Sequence, residues 1–447
     1  MATERITEVS ALQDPGRVRV WWAVGSCVVW FWLYLADLHL SPTRPIYALA
    51  APVLILITLP FFRRVSRKAV LFAAILMAAF AYQKLIVTTD STRPAFALIM
   101  CVYFFSLAPL RTERGFQALA AGLGVFFAVS FVLFLLTLYV DQARALRSAL
   151  YAFVEDASIA EFGIDQTRSL SFSQGGLTGL LFVFGYQVAA GVVLLLGLAL
   201  LSHGLARWAW ILAFVAAVGA LVLVGERSAL AACGLGLLLL LWSTRRWGYT
   251  TLVTLSILTA LWLFMLNRER VEEVRHYNVF SRVMTSSDTA DRLGLQLWAV
   301  QKVLQYPMGL ELAGADYWDL LARERPQFWA APHNGYITRT LRCGWLIGVL
   351  TVMVLVRLVR MARATLRAQH GGTLLNVERI ALAALTAVMA NALFHNESFI
   401  TFNHETMAML FLYVTCFEVR ETAEAEERAA PESAAEEDGF NAEDGLE

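Results

Sequence analysis

Residues 332–357 read PHNGYITRTLRCGWLIGVLTVMVLVR. A polar, turn-forming head passes directly into an apolar run. Such runs recur along the chain, at the roughly 20-residue length that a helix needs to cross a bilayer core. Backbone polar groups facing lipid have no water to bond, so each run should be a helix. The chain is 58% hydrophobic and 16% charged, whereas a soluble domain carries about a quarter charged residues. The fold class that follows is an all-α polytopic membrane protein. A formal net charge of zero gives no bulk attraction to nucleic acid.

Working outward from this stretch, hydropathy predicts about twelve spans. They lie near 20–38, 46–62, 69–84, 94–110, 116–139, 177–201, 207–224, 228–242, 248–266, 342–357, 378–394 and 404–418. Residues 1–266 would carry the first nine, with a smaller loop at 140–176. The interval 267–341 is the longest polar stretch between apolar runs and is expected to form a large loop containing short helices. Residues 342–418 would carry the last three spans. The segment 419–447 is rich in Ala and Glu and poor in large apolar residues, a composition that predicts disorder or a frayed helix.

Loop charges orient the spans. Arg63, Arg64, Arg67 and Lys68 follow the second span, Arg111 and Arg114 the fourth, Arg245 and Arg246 the eighth, and Arg357, Arg360, Arg363 and Arg367 the tenth. These loops share one parity, and the positive-inside rule makes that side cytoplasmic, with both termini. The loops 140–176 and 267–341 then emerge on the opposite face. The polar N-terminus has no cleavage pattern before the first apolar run, so that span reads as a retained anchor. Cys27, Cys101, Cys233, Cys343 and Cys416 lie in or beside apolar runs without paired spacing, so no disulfide framework or zinc site is expected. No metal or other cofactor is predicted.

Three positions on the outward side could carry chemistry. Arg227, in Gly225-Glu226-Arg227-Ser228-Ala229, sits between apolar runs, where an unpaired charge costs a few kcal/mol. It is either the arginine of a tight turn, paired with Glu226 or reaching water, or a guanidinium whose fork of donors meets a phosphate. Arg292 opens a helix predicted over 291–305, where Leu293, Leu297, Val300 and Leu304 recur at helical spacing. Ser286, Ser287 and Asp288 are candidate caps. In the first turn Arg292 would sit where anions are favoured, or it would pair with Asp288. His333 follows Pro332 at a helix start that Asn334 can cap. It is either structural or a general base titrating near neutral pH. His395, in His395-Asn396-Glu397, lies on the same expected face. Asp288/Asp291 and Asp316/Asp319 are spaced to touch a cation or to cap helices. No GxxxxGK[ST] loop, Asp-x-Asp pair or Gly-x-Ser-x-Gly elbow is present, which disfavours nucleotide-driven chemistry.

Taken together, three motifs resemble those of the O-antigen ligase and polymerase family of bacterial inner membranes. They are Gly225-Glu226-Arg227-Ser228-Ala229, then Arg292 with Trp298 and Pro307-Met308-Gly309, then Pro332-His333-Asn334-Gly335-Tyr336 with Gly344-Trp345-Leu346-Ile347-Gly348. Their order, the count of spans and the late large loop extend the resemblance over most of the chain. The stretch from Arg168 to Gln187 lacks the Asp-Pro-Asn wording of many relatives. The resemblance implies a GT-C-like membrane fold and a metal-independent, inverting glycosyltransferase of the Gram-negative inner membrane, working at its periplasmic face. The implied donor is a glycan on undecaprenyl pyrophosphate, and the implied ligase acceptor is lipid A–core. A polymerase would instead extend another lipid-linked unit. Arg227 and Arg292 would bind pyrophosphate and His333 would take the acceptor proton. Asn334, Tyr336, Arg168 and His395 are the further substrate-binding candidates. A lipid-linked-glycan transporter or flippase is the reading from another class; it would place ionisable groups near the bilayer midplane.

Overall fold

The computed structural model describes residues 113–142, 181–224, 227–266, 287–326, 332–368, 372–394 and 404–429, with isolated residues between 71 and 82. The expected spans at 20–38, 46–62 and 94–110, nearly all of that at 69–84, the loop from 143 to 176, the segment 267–286 and the tail from 430 lie outside the described residues. Every regular element among the described residues is helical. In chain order they are α1 (Glu113–Tyr139), α2 (Leu181–Leu201), α3 (Gly204–Val224), α4 (Arg227–Thr244), α5 (Thr250–Leu266), α6 (Ser287–Gln305), α7 (Tyr317–Glu324), α8 (Gly335–Cys343), α9 (Trp345–Arg367), α10 (Thr373–Asn391) and α11 (His404–Ala429). A short 3-10 turn, Trp247–Tyr249, joins α4 to α5.

Among the described residues three segments are long and apolar enough to cross a membrane: Gly204–Val222, Trp345–Arg367 and Leu374–Asn391. Shorter apolar helices cover Ala120–Leu136, Val188–Leu201 and Ser228–Thr244. Two helices form the centre. Along α2, Val188, Ala189, Ala190 and the run Val192–Leu196 are fully buried. Along α10 the run Ile380–Leu385 is buried on every face. A helix apolar all round belongs in an interior. By contrast α3, α5 and α9 expose Leu212, Leu258, Trp262, Val349, Val352 and Val356. Such broad apolar faces fit contact with lipid better than contact with water.

Small residues let the central helices approach closely, as in membrane bundles. A Cβ on Gly236 of α4 would meet Ala387 Cβ of α10 at 2.9 Å and Val193 Cγ2 of α2 at 2.8 Å. A Cβ on Gly197 of α2 would meet Ile380 of α10 within 2.5 Å. Val193 thus lies near Ala387, and Gly197 near Ile380, so α2 and α10 are antiparallel. Along α4, Gly236 lies near Ala387, and Arg245 just past its end acts electrostatically on Arg379 near the start of α10. Helix α4 too runs opposite to α10.

The opposite end of the bundle holds a buried charge network. Arg420 of α11 donates from Nε to Glu378 Oε2 at 2.7 Å and from Nη2 to Glu378 Oε1 at 3.3 Å. Thr365 of α9 donates to Glu378 at 2.5 Å and lies 2.9 Å from the Tyr413 hydroxyl. Glu378 is fully buried, so this pairing ties α9, α10 and α11 together. Composition placed the start of a disordered or frayed tail at about 418. The helix continues to Ala429, and its residues Glu418 and Arg420 are buried against partners on α9 and α10. Likewise Arg360, Arg363 and Arg367, expected in a loop, occupy the last turns of α9, where cations complement the helix end.

Candidate functional site

The polar stretch that sequence assigns to a loop builds its own small core. Leu295, Trp298 and Ala299 of α6 pack with Leu310, Leu320, Leu321 and Leu341. Glu324 at the end of α7 ties it to α6, accepting from Lys302 Nζ at 2.6 Å and from Trp298 Nε1 at 3.0 Å. These hydrogen bonds, that from Lys302 first, hold its carboxyl below the ordinary value of 4.5. Asp316 accepts from the N–H groups of Trp318 and Asp319. It is the N-cap of α7, which uses the carboxylate that sequence left open to a cation.

The Pro307-Met308-Gly309 turn is a clasp. Trp345 N donates to Pro307 O at 2.8 Å, Leu310 N to Leu341 O at 2.9 Å and Glu311 N to Arg342 O at 3.3 Å. Gly309 and Gly344 face each other at positive φ, 89° and 86°. A Cβ on Gly344 would meet Met308 C at 2.6 Å and Pro307 O at 2.7 Å. Only glycines allow this backbone crossing. It fastens the end of α6 to the corner between α8 and α9.

At that corner the chain doubles back. A Cβ on Gly348 of α9 would meet the Thr340 methyl of α8 at 2.8 Å, so α8 packs antiparallel to the start of α9. Nine residues of helix carry the chain about 13 Å from the corner. His333 therefore sits well below the Gly344 corner, against the bundle. Three contacts fix it there. Gly335 N donates to Ala392 O at 2.9 Å. The Tyr336 hydroxyl donates to Met389 O at 2.9 Å. Asn334 caps α8 by accepting from Ile337 N at 3.1 Å. His333 is half-buried and left-handed, with φ 51°. Among the described residues only Arg245 shares that conformation outside glycine. Such a position is unfavourable for most residues and is held by its surroundings.

The same end of the bundle carries the other candidates. Arg227 begins α4, nine residues before Gly236, or about 13 Å along the axis. Asn391 ends α10, about 6 Å beyond Ala387 at the level of Gly236 by the same rise. Gln187 of α2 is about 9 Å before Val193. All three backbones thus lie towards the end where Gly335 meets Ala392. The side chains of Arg227 and Gln187 lie outside what is described. Arg292 lies on α6. It is half-buried and lies one turn before Leu295, whose cluster also receives Ile337 of α8. One cluster thus joins the helix that carries Arg292 to the helix that begins two residues after His333. Arg168 and His395 lie outside the described residues.

One expectation changes. Helix α6 begins at Ser287, a turn earlier than spacing suggested. Arg292 is in its second turn, beyond the reach of the free N–H groups. The O–H of Tyr336 is engaged by Met389, so this residue anchors the turn. One residue carried no expectation from sequence. Asn391 is fully buried, and neither its Oδ1 nor its Nδ2 has a hydrogen-bond partner among the described residues. It sits between Met389 and Ala392, the two residues that receive the His333 segment. An amide inside an apolar span was the available signal, since such groups are expensive there.

No protein-family model matches this chain, and no curated protein matches it. The geometry is what bears on function.

Proposed function

We propose that this chain is an O-antigen-ligase-type glycosyltransferase of the Gram-negative inner membrane. It has about twelve spans, cytoplasmic termini and a site facing the periplasm. The reading is supported above all by the Gly335–Ala392 hydrogen bond. That bond seats the turn bearing His333 at the end of α10, the end of the bundle where α4 begins with Arg227. A second support is charge asymmetry. Arg245, Arg246, Arg363 and Arg367 gather at the other end, in the short turns and helix ends, as the positive-inside rule requires of a cytoplasmic face.

In the proposed reaction the Nε2 or Nδ1 lone pair of His333 takes the proton of a sugar hydroxyl on lipid A–core. The oxygen attacks the anomeric carbon of the donor glycan from the face opposite its pyrophosphate. The bond from that carbon to the pyrophosphate oxygen breaks, and undecaprenyl pyrophosphate leaves with the electron pair. The anomeric centre inverts, and His333 later releases its proton to water. Charge grows on the leaving oxygen in the transition state, so fixed guanidinium groups from Arg227 and Arg292 act there most strongly. A positioned base contributes roughly 10²- to 10⁴-fold.

The deciding experiment supplies purified protein in liposomes with lipid-linked glycan, with and without lipid A–core. Ligation only when lipid A–core is present supports the reading. Chain elongation without it would assign the polymerase reaction. Glycan movement across an acceptor-free bilayer would assign a transporter.

A further inference from the structure

Helix α6 exposes the wrong face for a soluble element. The stripe that sequence marks as apolar, Leu293, Leu297, Val300 and Leu304, is exposed by 58%, 64%, 43% and 66%. The buried residues are instead Leu295, Trp298, Ala299 and Lys302. At about 100° per residue the exposed four fall within a sector of about 60°, diametrically opposite the buried four. Glutamines at 296 and 301 border the stripe, and Gln305 is exposed outside it. A helix apolar on two opposite faces has two apolar neighbours. The cluster shared with α8 covers only one.

The second neighbour is indicated by what adjoins α6. Its last turn touches the start of α9, where Trp345 Nε1 donates to Val303 O at 2.7 Å. Helix α9 is one of the segments able to cross a membrane. From Trp345 and Leu346 to Val359 it carries an exposed apolar face. The α6 stripe adjoins that face at Leu304, so it begins at the end of a lipid-facing surface. Tryptophan with its N–H engaged is favoured at such a boundary.

We propose that α6 is a membrane-contacting helix whose Leu293, Leu297, Val300 and Leu304 are seated in the acyl region of the adjacent leaflet. The occupant is bilayer lipid. The inference requires only that α9 crosses the membrane and does not depend on glycan transfer. It makes α6 a depth gauge, because the leaflet then fixes the height of Arg292, which immediately precedes Leu293 in the chain. An amphipathic helix binds a bilayer through buried apolar area of this kind.

The test uses the full chain in phospholipid liposomes, with nitroxide labels placed one at a time by Leu297→Cys, Leu304→Cys, Gln305→Cys and Val352→Cys. The signal of the unsubstituted protein is subtracted. Collision rates are measured with oxygen, which partitions into lipid, and with a water-soluble nickel chelate. The expected result is oxygen above nickel at 297 and 304, as at 352 on α9, with the order reversed at 305. Nickel above oxygen at 297 and 304, with 352 still in lipid, places the stripe in water and overturns the proposal. Low collision with both reagents places protein over it, from this chain or a second copy, and also overturns it. Nickel above oxygen at 352 removes the premise that α9 faces lipid.

Discussion

Replacing Gly344 with Ala tests how the polar unit is held to the bundle. The residue has φ 86° and ψ 178°, a region essentially confined to glycine. An alanine there costs of order 1–3 kcal/mol. Its Cβ would meet backbone atoms of Met308 and Pro307 at 2.6 to 2.7 Å. Backbone cannot rotate away as a side chain can, so the Pro307–Gly309 turn must shift. Three hydrogen bonds cross this contact, from Trp345 N, Leu310 N and Glu311 N. At about 0.5–1.5 kcal/mol net each, their loss adds roughly 2–4 kcal/mol. The clasp should therefore lose about 3–7 kcal/mol, comparable to the stability of a small domain. Hydrogen exchange in detergent or nanodiscs reads this directly. The amides of Leu310, Glu311 and Trp345 should lose protection by several orders of magnitude, while α2 and α10 stay protected. Transfer should fall as well, because α6 carries Arg292. Unchanged protection at Leu310 and Trp345 would refute the clasp.

Three other perturbations follow from the same contacts. Asn391→Leu removes a buried amide without a partner, so thermal stability should rise by about 1–3 kcal/mol while transfer falls; lower stability with full activity would make the amide structural. Glu378→Ala removes the buried partner of Arg420 and leaves it only Glu424, and unfolding in detergent should show a loss of up to about 3–5 kcal/mol; a neutral outcome would mean the pair is exposed to water. The Glu324 carboxyl is held below its ordinary value, so it contributes stability above about pH 4.5 and loses it as pH falls through its folded value. Exchange protection around Trp298 should drop in that acid window, and Glu324→Gln should abolish the dependence.

Local chemistry was legible from sequence, and its direction was not. Asn334 reads as a cap because a side-chain oxygen before an amphipathic turn has few other uses, and it caps. The stripe Leu293 to Leu304 reads as a helix face by its period. Periodicity cannot tell whether that face meets protein or lipid, and it proved to be the outer one. The Pro307–Gly309 turn is visible as a motif, yet its partner at Gly344 lies 35 residues on, and nothing local encodes the pairing. Glu378 and Arg420 are hidden in the same way. Each is a single charge near a helix end until the fold brings them to 2.7 Å. Asn391 lies within an apolar run, where hydropathy averages away one amide. What sequence placed on one expected face, Arg227 and His333, depended on parity of loops. The bundle supplies a separate reason, through the Ala392 carbonyl and the antiparallel course of α4 and α10.

The central claim is that His333 acts as the base at this end of the bundle. The measurement is glycan transfer to lipid A–core by His333→Ala protein in liposomes, with insertion and folding checked by exchange protection of α2 and α10. A fall of about 10²- to 10⁴-fold with an intact bundle is the predicted result. Undiminished transfer by an intact His333→Ala protein would contradict it.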